Sequence, residues 1–218
     1  MLAKVLTLLI TSTLLMACSD NNDNDEPQYL PIAELQVSAP PDIGAPLNLG
    51  GFDPAAAGYQ ETEFFVSGTA TAFTNTSELG SDGFWEVEPS EDAAYTTRVL
   101  VRRPADSADF NGTVLVEWMN VSAGFDSTPE WNNAKVEIIR RGYVWVGVTA
   151  QLVGVEGSPG GIIPFHLKAF NPERYAELEH PGDSFSYDIF SQVAQALRNP
   201  GAMDLLDGLV AERLIGAG

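Results

Sequence analysis

Serine, histidine and carboxylate side chains are the places where this chain could do chemistry. A Gly-x-Ser-x-Gly turn does not occur; the relaxed form Gly-x-Ser-x-Ser occurs once, at Gly182-Asp183-Ser184-Phe185-Ser186. A nucleophile turn needs a strand before it and a helix after it, because the strained turn lifts the hydroxyl above the sheet edge. A helical pattern follows here, but Glu177-Leu178-Glu179-His180-Pro181 precedes, and that is no core strand. Ser184 and Ser186 are therefore read as helix-capping residues. His166 and His180 are the only general-base candidates, and each reads as an ordinary loop or surface histidine. The spacing of His180 to Ser184 leaves a base role open. Glu86 and Glu88 fall on one face of an extended segment, where paired carboxylates could work, but among 30 acids a solvated face is the default.

Other signals point away from cofactors. Gly157-Ser158-Pro159-Gly160-Gly161 is followed neither by a Lys-Ser/Thr pair nor by dinucleotide spacing, so it is no phosphate cradle. Asp20 to Pro27 is acidic like a calcium loop but lacks the Gly at the sixth loop position and a well-placed distal Glu; it reads as a solvated tether. One cysteine excludes a disulfide framework and a cysteine-built zinc site, and 2 histidines exclude a three-histidine site. No cofactor and no metal are expected. With 11 Lys plus Arg against 30 Asp plus Glu, the net charge of −19 repels phosphate backbones, so no nucleic-acid partner is expected.

The more informative stretch is Glu117-Trp118-Met119-Asn120-Val121-Ser122-Ala123-Gly124. In an open α/β sheet, ligands sit beyond the C-terminal ends of the strands. A strand-to-helix loop there can offer backbone N–H groups to an oxyanion, which makes Asn120 and Val121 weak oxyanion-loop candidates.

These residues must be placed by the elements around them. Residues 30–58, rich in Pro, Gly and Ala, read as irregular lead-in. Strands are expected over Glu63 to Phe73 and over Tyr95 to Arg102, the latter with Val99 and Val101 on one face and Leu100 on the other. Thr74 to Glu91 reads as polar and turn-rich. Thr113 to Met119 follows an Asn111-Gly112 turn and is expected to pair antiparallel with Tyr95 to Arg102. A helix should begin at Ser127 or Thr128 as N-cap, with Pro129 in its first turn, and stop at Gly142. Tyr143 to Val148 is an almost unbroken apolar run that fits a strand buried on both faces, completing a βαβ unit. A second helix is expected over Tyr187 to Asn199, a short one over Met203 to Val210, and a central strand beginning at Arg213-Leu214-Ile215.

Met1 to Cys18 is set apart from the fold. Lys4 gives a positive start, Val5 to Met16 is mostly apolar, and Leu15-Met16-Ala17-Cys18 resembles the lipobox of bacterial lipoproteins. That resemblance implies a signal peptide over 1–17, lipid on Cys18, and a membrane anchor in the bacterial cell envelope. Ser19 after the cysteine favours the outer membrane. Residues 18–58 would then be the lipidated cysteine, tether and lead-in, with 59–218 as the folded domain.

Four phrases carry a wider resemblance: Val114 to Ser122, Gly142 to Gln151, His180 to Gln192, and Glu212 to Ile215. With them the chain resembles the bacterial α/β-hydrolase domain proteins of secreted or lipid-anchored type, from roughly Tyr59 to Gly218. Gly182-Asp183-Ser184 also resembles the start of the GDSL esterases. The resemblance implies an incomplete α/β-hydrolase fold: a mostly parallel sheet with antiparallel lead-in strands and flanking helices. It also implies that Gly218 starts the nucleophile elbow, with the serine, acid and histidine all beyond it. No triad residue is expected in these residues. The chain then reads as the N-terminal portion of a truncated serine hydrolase for a small-molecule ester-like substrate, inactive alone. The alternative is a non-catalytic envelope binding half-domain.

Overall fold

The computed structural model describes residues 35–47, 51–160, 165–199 and 204–218. Cys18 and the acidic tether therefore lie outside the described residues. Among the described residues six strands form one open sheet: β1 (Gln36–Ser38), β2 (Tyr59–Asn75), β3 (Val87–Pro104), β4 (Thr113–Trp118), β5 (Val144–Val148) and β6 (Arg213–Ala217), in the order β1-β2-β3-β5-β4-β6. The α/β expectation holds. Pairing is antiparallel from β1 through β2 and β3 to β5, and parallel from β5 to β4 and β4 to β6. The lead-in strands thus take a larger share of the sheet than the pattern gave them, and the stretch read as irregular contributes β1.

One neighbour relation differs from expectation. β3 and β4 are not adjacent; β5 returns after helix α1 (Pro129–Arg141) and lies between them, with Val146 opposite both Val101 and Val116. Every residue of β5 is buried. The most apolar run in the chain needs a partner on both edges and cover on both faces, and only an interior place gives it those.

Side-chain alternation divides the core into two layers. Val99, Val101, Val114, Val116, Val144, Val146 and Val148 meet Val193 and Leu197 of helix α4 (Ser186–Arg198) on one face. Leu100 and Trp145 meet Trp131 and Ile138 of α1 on the other. The expected split of Val99 and Val101 from Leu100 is observed. Two short helices, α2 (Leu152–Glu156) and α3 (Leu167–Phe170), fill the stretch between β5 and α4. Among the described residues no helix is long and apolar enough to cross a membrane.

Three local readings change. The described part of 203–210 is a turn rather than a helix: Asp207 and Gly208 have φ of 53° and 85°, and the Asp204 carboxylate accepts from Leu206 N and Gly208 N. Left-handed residues end a right-handed helix before it starts. β6 is not central among the described strands, since it pairs only with β4, and Ile215 is 45% exposed. Finally, β2 and β3 continue as a paired ribbon through the segment read as turn-rich, out to Asn75 opposite Val87.

Candidate functional site

The site region is built around the C-terminal end of β4. Val114 and Val116 fill the α4 layer, and Trp118 shares that face, packing against Phe190 and Tyr187 of α4 at ring-centroid distances of 5.5 and 5.2 Å. The Trp118 indole N–H donates to Gln151 Oε1 at 3.0 Å, which fixes the ring. Alternation sends Glu117 to the opposite layer, where it is fully buried. A carboxylate there must be paired or hydrogen-bonded. Its two oxygens accept from Glu130 N at 3.0 Å, Trp131 N at 2.9 Å and Trp145 Nε1 at 2.7 Å. Burial raises its pKa, and these donors oppose the rise.

This finding changes the reading of the helix start. Thr128 sits at the N-cap of α1 but makes no side-chain cap bond, and Ser127 Oγ donates to Asn120 O at 2.9 Å instead. The orphan N–H groups of the first turn are satisfied by Glu117, from a strand eleven residues upstream of Thr128.

The loop between β4 and α1 is closed on itself. Asn120 N donates to Ser127 O at 2.9 Å, and Ser127 N returns a bond to Asn120 O at 2.8 Å. Ser122 N donates to Asn120 Oδ1 at 3.0 Å and Gly124 N to Val121 O at 2.9 Å. The Asn120 N–H is therefore spent within the loop, while the Val121 N–H has no acceptor among the described residues. Both lie on the sheet edge where Gly218 stands. A Cβ built on Gly218 would be 2.8 Å from Trp118 Cβ, so only glycine permits this approach of β6 to β4. Trp118, Tyr187, Phe190 and Ser191 with Gly216, Ala217 and Gly218 line an open cleft of about 500 Å³.

Beneath the loop lies a buried ionic network that the sequence reading did not find. Arg98 reaches Asp126 at 3.1 Å and Glu63 at 3.6 Å, and Arg174 reaches Glu63 at 2.7 Å. Tyr175 OH donates to Glu63 Oε1 at 2.9 Å, and Thr149 Oγ1 donates to Asp126 Oδ2. Arg98 also donates to Leu47 O at 3.1 Å and Arg174 to Pro41 O at 2.9 Å, so the network staples the lead-in to the sheet. Burial raises the Asp126 pKa, opposed first by Arg98. Asp126 Oδ1 is buried without a partner among the described residues. The available signal was a charged residue inside an apolar strand pattern, as at Arg98 and Glu117.

The other candidates stand apart. His180 is buried, with Nε2 against Ala150 O at 2.9 Å and Nδ1 accepting from Gly182 N at 3.2 Å. A carbonyl accepts only, so Nε2 carries the proton and both ring nitrogens are engaged. Burial lowers its pKa. His166 Nδ1 bonds Val155 O at 2.9 Å. Ser184 and Ser186 make no cap bond to α4; Ser184 is exposed, and Ser186 Oγ is buried without a partner among the described residues. Glu86 and Glu88 are exposed. Among the described residues no group of three or more His, Cys, Asp or Glu could hold a metal ion.

An open mixed sheet, a βαβ unit over β4, α1 and β5, and a loop with a free N–H at the C-terminal strand edge define an α/β protein with its site at that edge. The chain belongs to the family described as Alpha/beta hydrolase domain, which matches residues 28–218 and so includes the lead-in before Tyr59. No curated protein and no solved structure matches it.

Proposed function

We propose that these residues form the N-terminal part of a serine ester hydrolase for a small-molecule ester-like substrate, held in the bacterial cell envelope by lipid on Cys18. One observation carries the catalytic half of this reading. β6 runs parallel to β4 with Ala217 opposite Glu117, which stands Gly218 against Trp118 where the Met119 to Thr128 loop begins. In this reading the nucleophilic serine is the second residue after Gly218, on a strand-to-helix turn, followed in order by the acid and the histidine. The histidine takes the serine proton as the oxygen attacks the ester carbonyl, and charge develops on the carbonyl oxygen. The Val121 N–H meets that charge together with the N–H of the residue after the serine. Asn120 acts by closing the loop, since its own N–H is held by Ser127. The cleft of Trp118, Tyr187 and Phe190 supplies a wall for the acyl or alcohol group.

The test is fluorophosphonate labelling of these 218 residues beside a form extended through a downstream elbow. Labelling of the extended form alone, at the serine two residues past Gly218, is the expected result. Labelling of the 218-residue chain that is lost in Ser184→Ala would overturn it. Ester binding without labelling of either form would favour a non-catalytic envelope binding domain. The anchor is tested separately: labelled palmitate should enter the wild type and not Cys18→Ala.

A further inference from the structure

We infer that the tip of the β2–β3 hairpin is a docking surface for a cationic amphipathic segment of another protein. Past Ala72 the ribbon leaves the core, and every residue from Thr74 to Asp92 is exposed. The tip is nonetheless ordered by its own bonds. Thr76 N donates to Glu86 O at 2.9 Å, Phe84 N to Asp82 Oδ1 at 3.1 Å, and the Trp85 indole N–H to Gly80 O at 3.0 Å.

That order serves to hold apolar groups in water. Phe84 is 87% exposed, and Leu79, Val87 and Trp85 of the same hairpin tip are 53%, 46% and 45% exposed. With only about an eighth of its surface covered, the Phe84 ring adds little to the hairpin that presents it, so burial does not account for a phenyl ring here. Apolar groups clustered on an exposed tip mark an interaction surface.

Charge selects the partner. Glu78, Asp82, Glu86 and Glu88 alternate with these residues along the exposed tip, Glu91 and Asp92 follow further down the ribbon, and no Lys or Arg occurs between residues 62 and 97. An anionic lipid surface or an acidic peptide would be repelled. A segment with Leu or Val on one face and Lys or Arg on the other satisfies both features, apolar face on Phe84 and cations on the flanking carboxylates. The inference does not depend on the hydrolase reading.

The experiment uses the full chain and a fluorescent synthetic Leu/Lys amphipathic helical peptide, read by anisotropy, beside a Leu/Glu peptide of the same pattern. The Leu/Lys peptide is expected to bind, more weakly as salt rises, and the Leu/Glu peptide not to bind. Phe84→Ser, whose exposed position keeps the fold intact as a thermal melt would verify, should weaken binding about tenfold. Equal binding by Phe84→Ser would mean that only the net negative charge attracts the peptide, and the inference fails. It also fails if the Leu/Lys peptide does not bind, or if the Trp85 region instead partitions into zwitterionic vesicles.

Discussion

Glu117 holds the first turn of a helix it does not belong to: its Oε2 accepts the Trp131 backbone N–H at 2.9 Å. The same oxygen takes the Trp145 indole at 2.7 Å, so one buried carboxylate joins β4, α1 and β5. It therefore fixes both ends of the loop that carries Asn120 and Val121. Removing it with Glu117→Ala strands the buried Trp131 N–H and Trp145 indole N–H and the partly buried Glu130 N–H, at about 1–3 kcal/mol for each buried donor before any relaxation. Urea unfolding should show a loss of about 3–5 kcal/mol. Glu117→Gln keeps one acceptor oxygen and should lose clearly less.

Arg98 lies between Asp126 and Glu63 at 3.1 and 3.6 Å, with all three buried. Arg98→Met fills much of the volume but leaves the buried Asp126 carboxylate without its cation, while Glu63 keeps Arg174. Breaking a buried pair on one side costs about 3–5 kcal/mol. The denaturant midpoint should drop accordingly, and the Pro41 to Leu47 lead-in should become protease-sensitive because Arg98 no longer holds Leu47 O.

Gly142 ends α1 with φ of 68°, and a Cβ there would be 1.9 Å from the Asp109 carbonyl oxygen. Its own N–H closes onto Ile138 O and Ile139 O. Gly142→Ala combines a left-handed residue with a backbone clash, for about 2–4 kcal/mol together. Gly160→Ala, with φ of 72° and no atom of the described residues within 4 Å of its Cβ, should lose only the conformational part. Thermal melts of the two variants separate the contributions.

His180 is held neutral by burial, so its folded pKa lies below the ordinary histidine value. The unfolded chain then binds the extra proton first as pH falls. Stability from this group is present above about pH 6.5 and declines as pH drops from there toward the lower folded pKa. His180→Gln keeps a donor for Ala150 O and an acceptor for Gly182 N without titrating. Melting temperatures from pH 8 down to pH 5 should fall less steeply in this variant than in the wild type.

Much of the local structure was legible in residue order. The alternation at Val99, Leu100 and Val101 is a property of the strand backbone itself, and the structure places them as the pattern implies. The almost unbroken run from Tyr143 to Val148 declared a strand covered on both faces, and β5 is buried throughout. Pro129 and Gly142 marked the ends of α1 because each suits a backbone conformation that few other residues tolerate.

Position in the sheet and the partners of buried charges were decided by the tertiary structure alone. The short link between β3 and β4 argued for pairing, yet the more apolar β5 took the place between them, because burying it on both edges and faces outweighs a short connection. Thr128 looked like the cap of α1, but Glu117 holds that turn, since a buried carboxylate must find donors and the nearest free ones were at the helix start. The amide of Asn120 looked available for an oxyanion, but the loop folds back to pair it with Ser127 and leaves Val121 open. Residue types and spacing set which backbone conformations are cheap. Which donor meets which acceptor is settled only when distant segments compete for the same buried groups.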